Sequence, residues 1–172
     1  MSYLIEGLIK DIIFIANPRT GSSAIADAIL AAGGKKLEAD HHALPEGAYD
    51  MVETLVAFTV RNHYDVIMSY WQKKARGMTL DHFIDMITSE EHPRFPHAGL
   101  YAHGMDYVNF IIRYESMEVD LANLMCLAAV ETFELPAQPP SSVSSKDLTI
   151  KHVNKIRSVW GEEIDFMGYG DA

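Results

Sequence analysis

The stretch "DIIFIANPRTGSSAIADAIL", residues 11–30, constrains the fold more than any other part of the chain. Asp11 to Ala16 form a short, nearly continuous apolar run. Such runs suit a strand buried on both faces of a parallel sheet. Asn17-Pro18-Arg19-Thr20-Gly21 breaks the run, and from Ser22 the spacing predicts a helix to residue 32, stopped by Gly33-Gly34. A strand, a tight Gly/Ser turn and a helix form the outline of a loop that cradles phosphate. Gly21 lets the backbone approach a ligand closely. Ser22 and Ser23 stand where the N–H groups and dipole of a helix favour an anion. Arg19 adds a permanent charge on a planar fork suited to phosphate oxygens. The Gly-Lys-Ser/Thr ending of nucleotide hydrolases is absent. Taken alone, the same residues also fit a plain strand–turn–helix with a serine cap.

Two further runs, "TLVAFTV" (54–60) and "VNFIIRY" (108–114), read as buried strands, and "KKLEA" as a shorter one. Helices are predicted over 64–75, from about Thr79, which can cap, and over 116–131. A last helix is spaced by Ile150, Val153, Ile156 and Val159-Trp160. The proline-containing 88–100 and the Pro/Ser-rich 135–147 read as connections. Strands alternating with helices imply an α/β fold: one domain over residues 1–172, a three-layer sandwich around a small central parallel sheet. Ligands in such sheets sit beyond the carboxyl ends of the strands. The 17–23 loop, Arg61 and Arg113–Glu115 fall there. The Met/Leu-rich helix at 117–130, Phe166 and Tyr169 are expected in the core, and Cys126 as a buried, inert thiol.

At 172 residues the chain can bury one core. Its 24 acidic residues outnumber 14 basic ones, a formal charge of -10. That balance argues against general nucleic-acid binding, which needs a basic field, but permits a local basic pocket. No apolar run approaches the ~20 residues that span a bilayer, so no membrane partner is expected. The N-terminus lacks the basic region and cleavage site of a signal peptide. With one cysteine and so no internal disulfide, the expected compartment is the reducing cytoplasm. "HPRFPHAGLYAHG" matches no zinc spacing, and no metal is expected.

"NPRTGSS", "VRNHYDVIMSYW", "FIIRYESMEVDL" and a terminal "EIDFMGYG" follow one another in that order. In this order they resemble the sulfotransferases that use 3′-phosphoadenosine 5′-phosphosulfate (PAPS), most like the carbohydrate-type and bacterial or viral branches. The resemblance runs roughly from Ile12 to Tyr169. It implies a P-loop-like sulfotransferase fold and in-line transfer of a sulfuryl group from PAPS to a hydroxyl or amine. The acceptor would be a small molecule or glycan, and the product 3′,5′-adenosine bisphosphate.

The resemblance assigns Arg19, Thr20, Gly21, Ser22 and Ser23 to the 5′-phosphosulfate end, and Arg61 with Ser69 to the 3′-phosphate. It places a catalytic base at His41 or His42 in "ADHHALPEG", where neutral imidazole suits proton removal. Either can instead be an exposed loop histidine. Arg19 stands where many members carry lysine. It would act on the reaction by charge alone, because arginine does not deprotonate. His63 and Val66 occupy positions where the family often has proline and a second arginine. Arg113–Glu115 is implied to be mainly structural, with Glu115 pairing a nearby base. Two rival readings share these residues: a non-catalytic nucleotide-binding relative, and a small P-loop nucleotide or metabolite kinase. The missing Lys-Ser/Thr pair and acidic magnesium partner weigh against the kinase. The sequence does not fix an oligomeric state.

Overall fold

The computed structural model describes residues 2–17, 19–37, 50, 52–75, 77–89, 108–131, 133–134 and 145–170. The chain divides into two compact units, Met1–Val60 with His103–Pro139, and Arg61–Ala102 with Pro140–Ala172.

The first unit is built on an open five-stranded sheet. Its strands are β1 (Ser2–Ile5), β2 (Asp11–Ile15), β3 (Lys35–Leu37), β4 (Thr54–Val60) and β5 (Phe110–Arg113), in the order β3-β1-β2-β4-β5. The three apolar runs expected as buried strands are β2, β4 and β5, and they are mutually parallel. The sheet as a whole is mixed, which corrects the expected parallel sheet. β1 turns back on β2 through residues 6–10 and pairs antiparallel with both β2 and β3. A five-residue turn permits an antiparallel hairpin, whereas a parallel pair needs a long crossover. Gly7 makes the turn possible, because a side chain there would run into the carbonyls of Lys10 and Ala128.

Alternation along the strands sorts the core. Ile12, Phe14, Ala57 and Ile112 face α1 (Ser22–Ala31) and α4 (Met117–Ala128). Ile25, Ala26 and Ile29 of α1 pack there, with Met117, Leu121, Leu124, Met125 and Ala128 of α4. The other face carries Ile13, Ile15, Val56, Phe58 and Val60, also buried. Burial of each such side chain contributes roughly 1.5–3 kcal/mol. β2 is therefore an apolar run because both of its faces are covered.

Only one stripe of α4 is core. Cys126 is exposed, which corrects its expected burial. It falls outside the 117/121/124/125/128 stripe and faces away from the sheet, beside exposed Leu127. α4 ends at Ala129, which takes a left-handed conformation (φ 55°).

The second unit is helical in its described residues. It holds α2 (His63–Lys74), α3 (Leu80–Ile87) and α5 (Ile150–Phe166), with a 3₁₀ turn at Ser145–Asp147. Tyr64, Ile67, Phe83, Ile84, Ile87, Ile156, Trp160 and Ile164 form its core, with Tyr169 packed against it. Phe166, expected inside, is exposed at the last turn of α5. Thr79 caps α3 as its sequence implies. Thr149 caps α5 in a reciprocal box with His152. Among the described residues, no helix is long and apolar enough to cross a membrane.

Candidate functional site

The turn from β2 into α1 is shaped by backbone handedness. Arg19 (φ 67°) and Gly21 (φ 77°) are left-handed, while Thr20 between them is not. Backbone that changes handedness from residue to residue is the pattern from which anion-binding concavities are made. Holding a non-glycine residue such as Arg19 in that region costs about 1–2 kcal/mol. Gly21 is required twice over. A Cβ there would be strained and would lie 2.5 Å from Met117 Cε and 2.9 Å from the Tyr114 ring. The close approach at Gly21 is thus to β5–α4 residues of the same unit.

The hydroxyls of Thr20 and Ser22 point inward. Thr20 Oγ1 donates to the Asn17 carbonyl at 2.6 Å, and Ser22 Oγ donates to the same oxygen at 2.5 Å. Thr20 Oγ1 also meets Thr59 Oγ1 of β4 at 2.5 Å. Asn17 Nδ2 donates to the Thr59 carbonyl at 3.2 Å. Asn17, Thr20 and Thr59 are all essentially fully buried. Asn17 Oδ1 is enclosed with no hydrogen-bond donor among the described residues. Leaving such an acceptor unmatched costs about 1–3 kcal/mol, which the rest of the turn must offset. Thr20 and Ser22, which the resemblance assigns to the 5′-phosphosulfate end, therefore use their hydroxyl protons to build the loop. Ser23 is exposed and Arg19 half-buried, so both stand nearer solvent.

The start of α1 is electrostatically bare. Its N-cap is Gly21, with no capping side chain and no acid in the first turn. Asn62 caps α2, Thr79 caps α3 and Thr149 caps α5, while α4 carries Glu118 and Asp120 in its first turn. Among helices of the described residues, α1 is the one that lacks both devices. Its positive end is the least compensated.

Arg61 follows β4 directly and is the first residue of the second unit. It is buried, and its Nη2 lies 3.9 Å from Asp65 Oδ2, one turn into α2. Asp65 Oδ1 in turn accepts the Ser145 N–H at 2.8 Å. Ser69 sits on the same face of α2 as Asp65, one turn further on, and is half-buried. The helix thus sets Arg61, Asp65 and Ser69 along one line. The sequence signal for the intervening carboxylate is its i,i+4 spacing from Arg61.

His41 and His42, the two candidate bases, lie outside the described residues. Arg113–Glu115 serves the turn into α4 through another residue. Asp120 Oδ2 accepts both the Arg113 N–H and the Ser116 hydroxyl at 2.8 Å. Two histidines that the sequence left unassigned are buried in the second unit. His63 Nε2 lies 3.9 Å from Glu163. His152 Nδ1 accepts the Thr149 N–H at 3.2 Å, so its proton is on Nε2, which donates to Asp81 at 2.9 Å. With both ring nitrogens engaged, His152 is a structural tie between α3 and α5 rather than a base. That bond holds the Asp81 carboxyl below its ordinary pKa of 3.8, partly opposed by burial.

Compared with protein-family models, with curated proteins and with solved structures, the chain gives no match.

Proposed function

We propose that the chain is a PAPS-dependent sulfotransferase whose 5′-phosphosulfate end is held by the Asn17–Ser23 turn. The observation that carries this reading is the uncompensated start of α1 behind the left-handed pair Arg19 and Gly21. A turn of alternating handedness, the dipole of an uncapped helix and an arginine in the turn together suit a phosphate or sulfate group. The Asn17 carbonyl accepts two internal hydroxyls and so presents no repelling lone pair. Arg61 and Ser69 enter as the 3′-phosphate contacts through the order of their motifs in the sequence.

When bound, PAPS supplies a sulfuryl group to an acceptor hydroxyl or amine and leaves as 3′,5′-adenosine bisphosphate. Arg19 and the turn N–H groups provide fixed positive potential where negative charge grows on the oxygen bridging to the leaving phosphate. Such donors stabilise a transition state at little reorganisation cost because the turn is already set. His41 or His42 takes the acceptor proton on an imidazole nitrogen.

The test is thermal stabilisation. The bisphosphate should raise the melting temperature more than 5′-AMP or ATP-magnesium at equal concentration, because tighter ligands stabilise more. Equal shifts, or none, would sink the reading.

A further inference from the structure

The protons of the buried hydroxyl chain can be placed by counting. Thr20 has one hydroxyl proton, and it lies on the bond to the Asn17 carbonyl. The 2.5 Å contact between Thr20 and Thr59 therefore has Thr59 as donor. Ser22 fills the second lone pair of the Asn17 carbonyl. The direction runs from Thr59 to Thr20 to Asn17. Thr59 also grips the turn a second time, through its own carbonyl on Asn17 Nδ2. Thr20 stands between the two left-handed residues, Arg19 and Gly21. Whatever fixes Thr20 fixes the left-handed backbone on either side of it. Thr20 and Thr59 are both 0% exposed, so water cannot replace a missing partner.

We infer that Thr59 is a positioning residue for the anion held by the Asn17–Ser23 turn. It touches no ligand. It holds Thr20 so that the Asn17 carbonyl stays turned into the hydroxyls and the backbone at Arg19 and Gly21 keeps its left-handed turn. The inference rests on the turn being the phosphosulfate end, and it adds a dependence on the Thr59 hydroxyl that the family resemblance does not assign.

The experiment measures binding by calorimetry to folded wild type, Thr59→Val and Thr59→Ser. The probes are inorganic pyrophosphate, 3′-AMP and 3′,5′-adenosine bisphosphate. Thr59→Val keeps the shape and deletes the donor. It should weaken pyrophosphate and the bisphosphate by roughly tenfold, the worth of one buried hydrogen bond. It should leave 3′-AMP within about twofold, since that phosphate is assigned elsewhere. Thr59→Ser should restore wild-type affinity. If Thr59→Val does not fold, Thr59→Ala makes the same deletion in a smaller side chain. Unchanged pyrophosphate binding, an equal loss for 3′-AMP, or no rescue by serine overturns the inference. Wild type that binds pyrophosphate without preferring the bisphosphate defeats the PAPS reading alone, and the pyrophosphate comparison still decides Thr59. Wild type that binds neither defeats both.

Discussion

Two strand-to-helix junctions in this chain are built from similar parts and reach opposite electrostatic ends. β2 leads through Arg19 into α1, and β4 leads through Arg61 into α2. At α1 there is no capping side chain and no first-turn acid, and the hydroxyls of Thr20 and Ser22 face inward. At α2 the Asn62 side chain accepts the Tyr64 N–H at 2.9 Å, and Asp65 sits beside Arg61. The first junction leaves the helix charge for something else to meet. The second neutralises it internally. A junction that keeps its own counterion can still bind an anion through a guanidinium, but the anion must compete with Asp65. On the proposed reading, the first junction would meet its phosphate through the backbone and the second through a side chain.

The sharpest way to break that contrast is Gly21→Ala. It forces a side chain into a left-handed position against Met117 and Tyr114. Strain and overlap should together cost about 2–4 kcal/mol and lower the melting temperature by roughly 5–15 °C. An unchanged melt would show that the turn does not need its handedness. Next in size is the pair Arg19→Ala and Arg61→Ala. Each should lower affinity for the bisphosphate about tenfold or more, as charged contacts do. They should differ in kind. Arg19→Ala weakens 5′-AMP as well, whereas Arg61→Ala erases the preference for the bisphosphate over 5′-AMP. A preference that survives Arg61→Ala removes Arg61 from the site.

Asn62→Ala sharpens the comparison from the other side. It deprives α2 of its cap and should cost about 1 kcal/mol in urea unfolding. Binding of pyrophosphate should not change. The smallest effect concerns Asp81. Its hydrogen bond from His152 lowers its folded pKa below the ordinary value of 3.8. The resulting stability is present above that value and is lost as pH falls through the folded pKa. Melting temperatures of wild type and Asp81→Asn should therefore differ by a small constant amount above about pH 4 and converge below it. Asp81 is well exposed, so solvent screening keeps the gap small. Parallel curves throughout acid pH would show that the carboxylate contributes nothing.

Much of the scaffold was legible because it is local. β2, β4 and β5 are apolar runs bounded by polar breaks, and Thr79 precedes a helix as a cap should. β1 was missed because four residues, closed off by Glu6, carry too little pattern to count as a strand. Cys126 and Phe166 lie in apolar stretches yet are exposed, because the phase of the buried stripe, not composition, decides burial. The turn at 17–23 is legible between an apolar run and a helix, but the use of its hydroxyls is not. Residues that build an anion loop and residues that touch the anion are the same types, and only the partner tells them apart. For Thr20 that partner is Thr59, 39 positions away, and nothing in the spacing announces it.

The antiparallel β1 has a consequence for how the chain reaches this state. Its pairing with β2 joins Ser2 to Ile15 and Ile5 to Ile12, contacts separated by at most 13 positions. β2 meets β4 across 43 positions, from Asp11 to Thr54. Hairpins close in about 1–10 μs, while distant pairings wait on the larger entropy of loop closure. Local pairing therefore predicts that β2, which leads into the Asn17–Ser23 turn, pairs with its N-terminal neighbour before β4 arrives. Mutations in the β1–β2 hairpin should slow refolding, with φ-values well above those at the β4–β5 pairing.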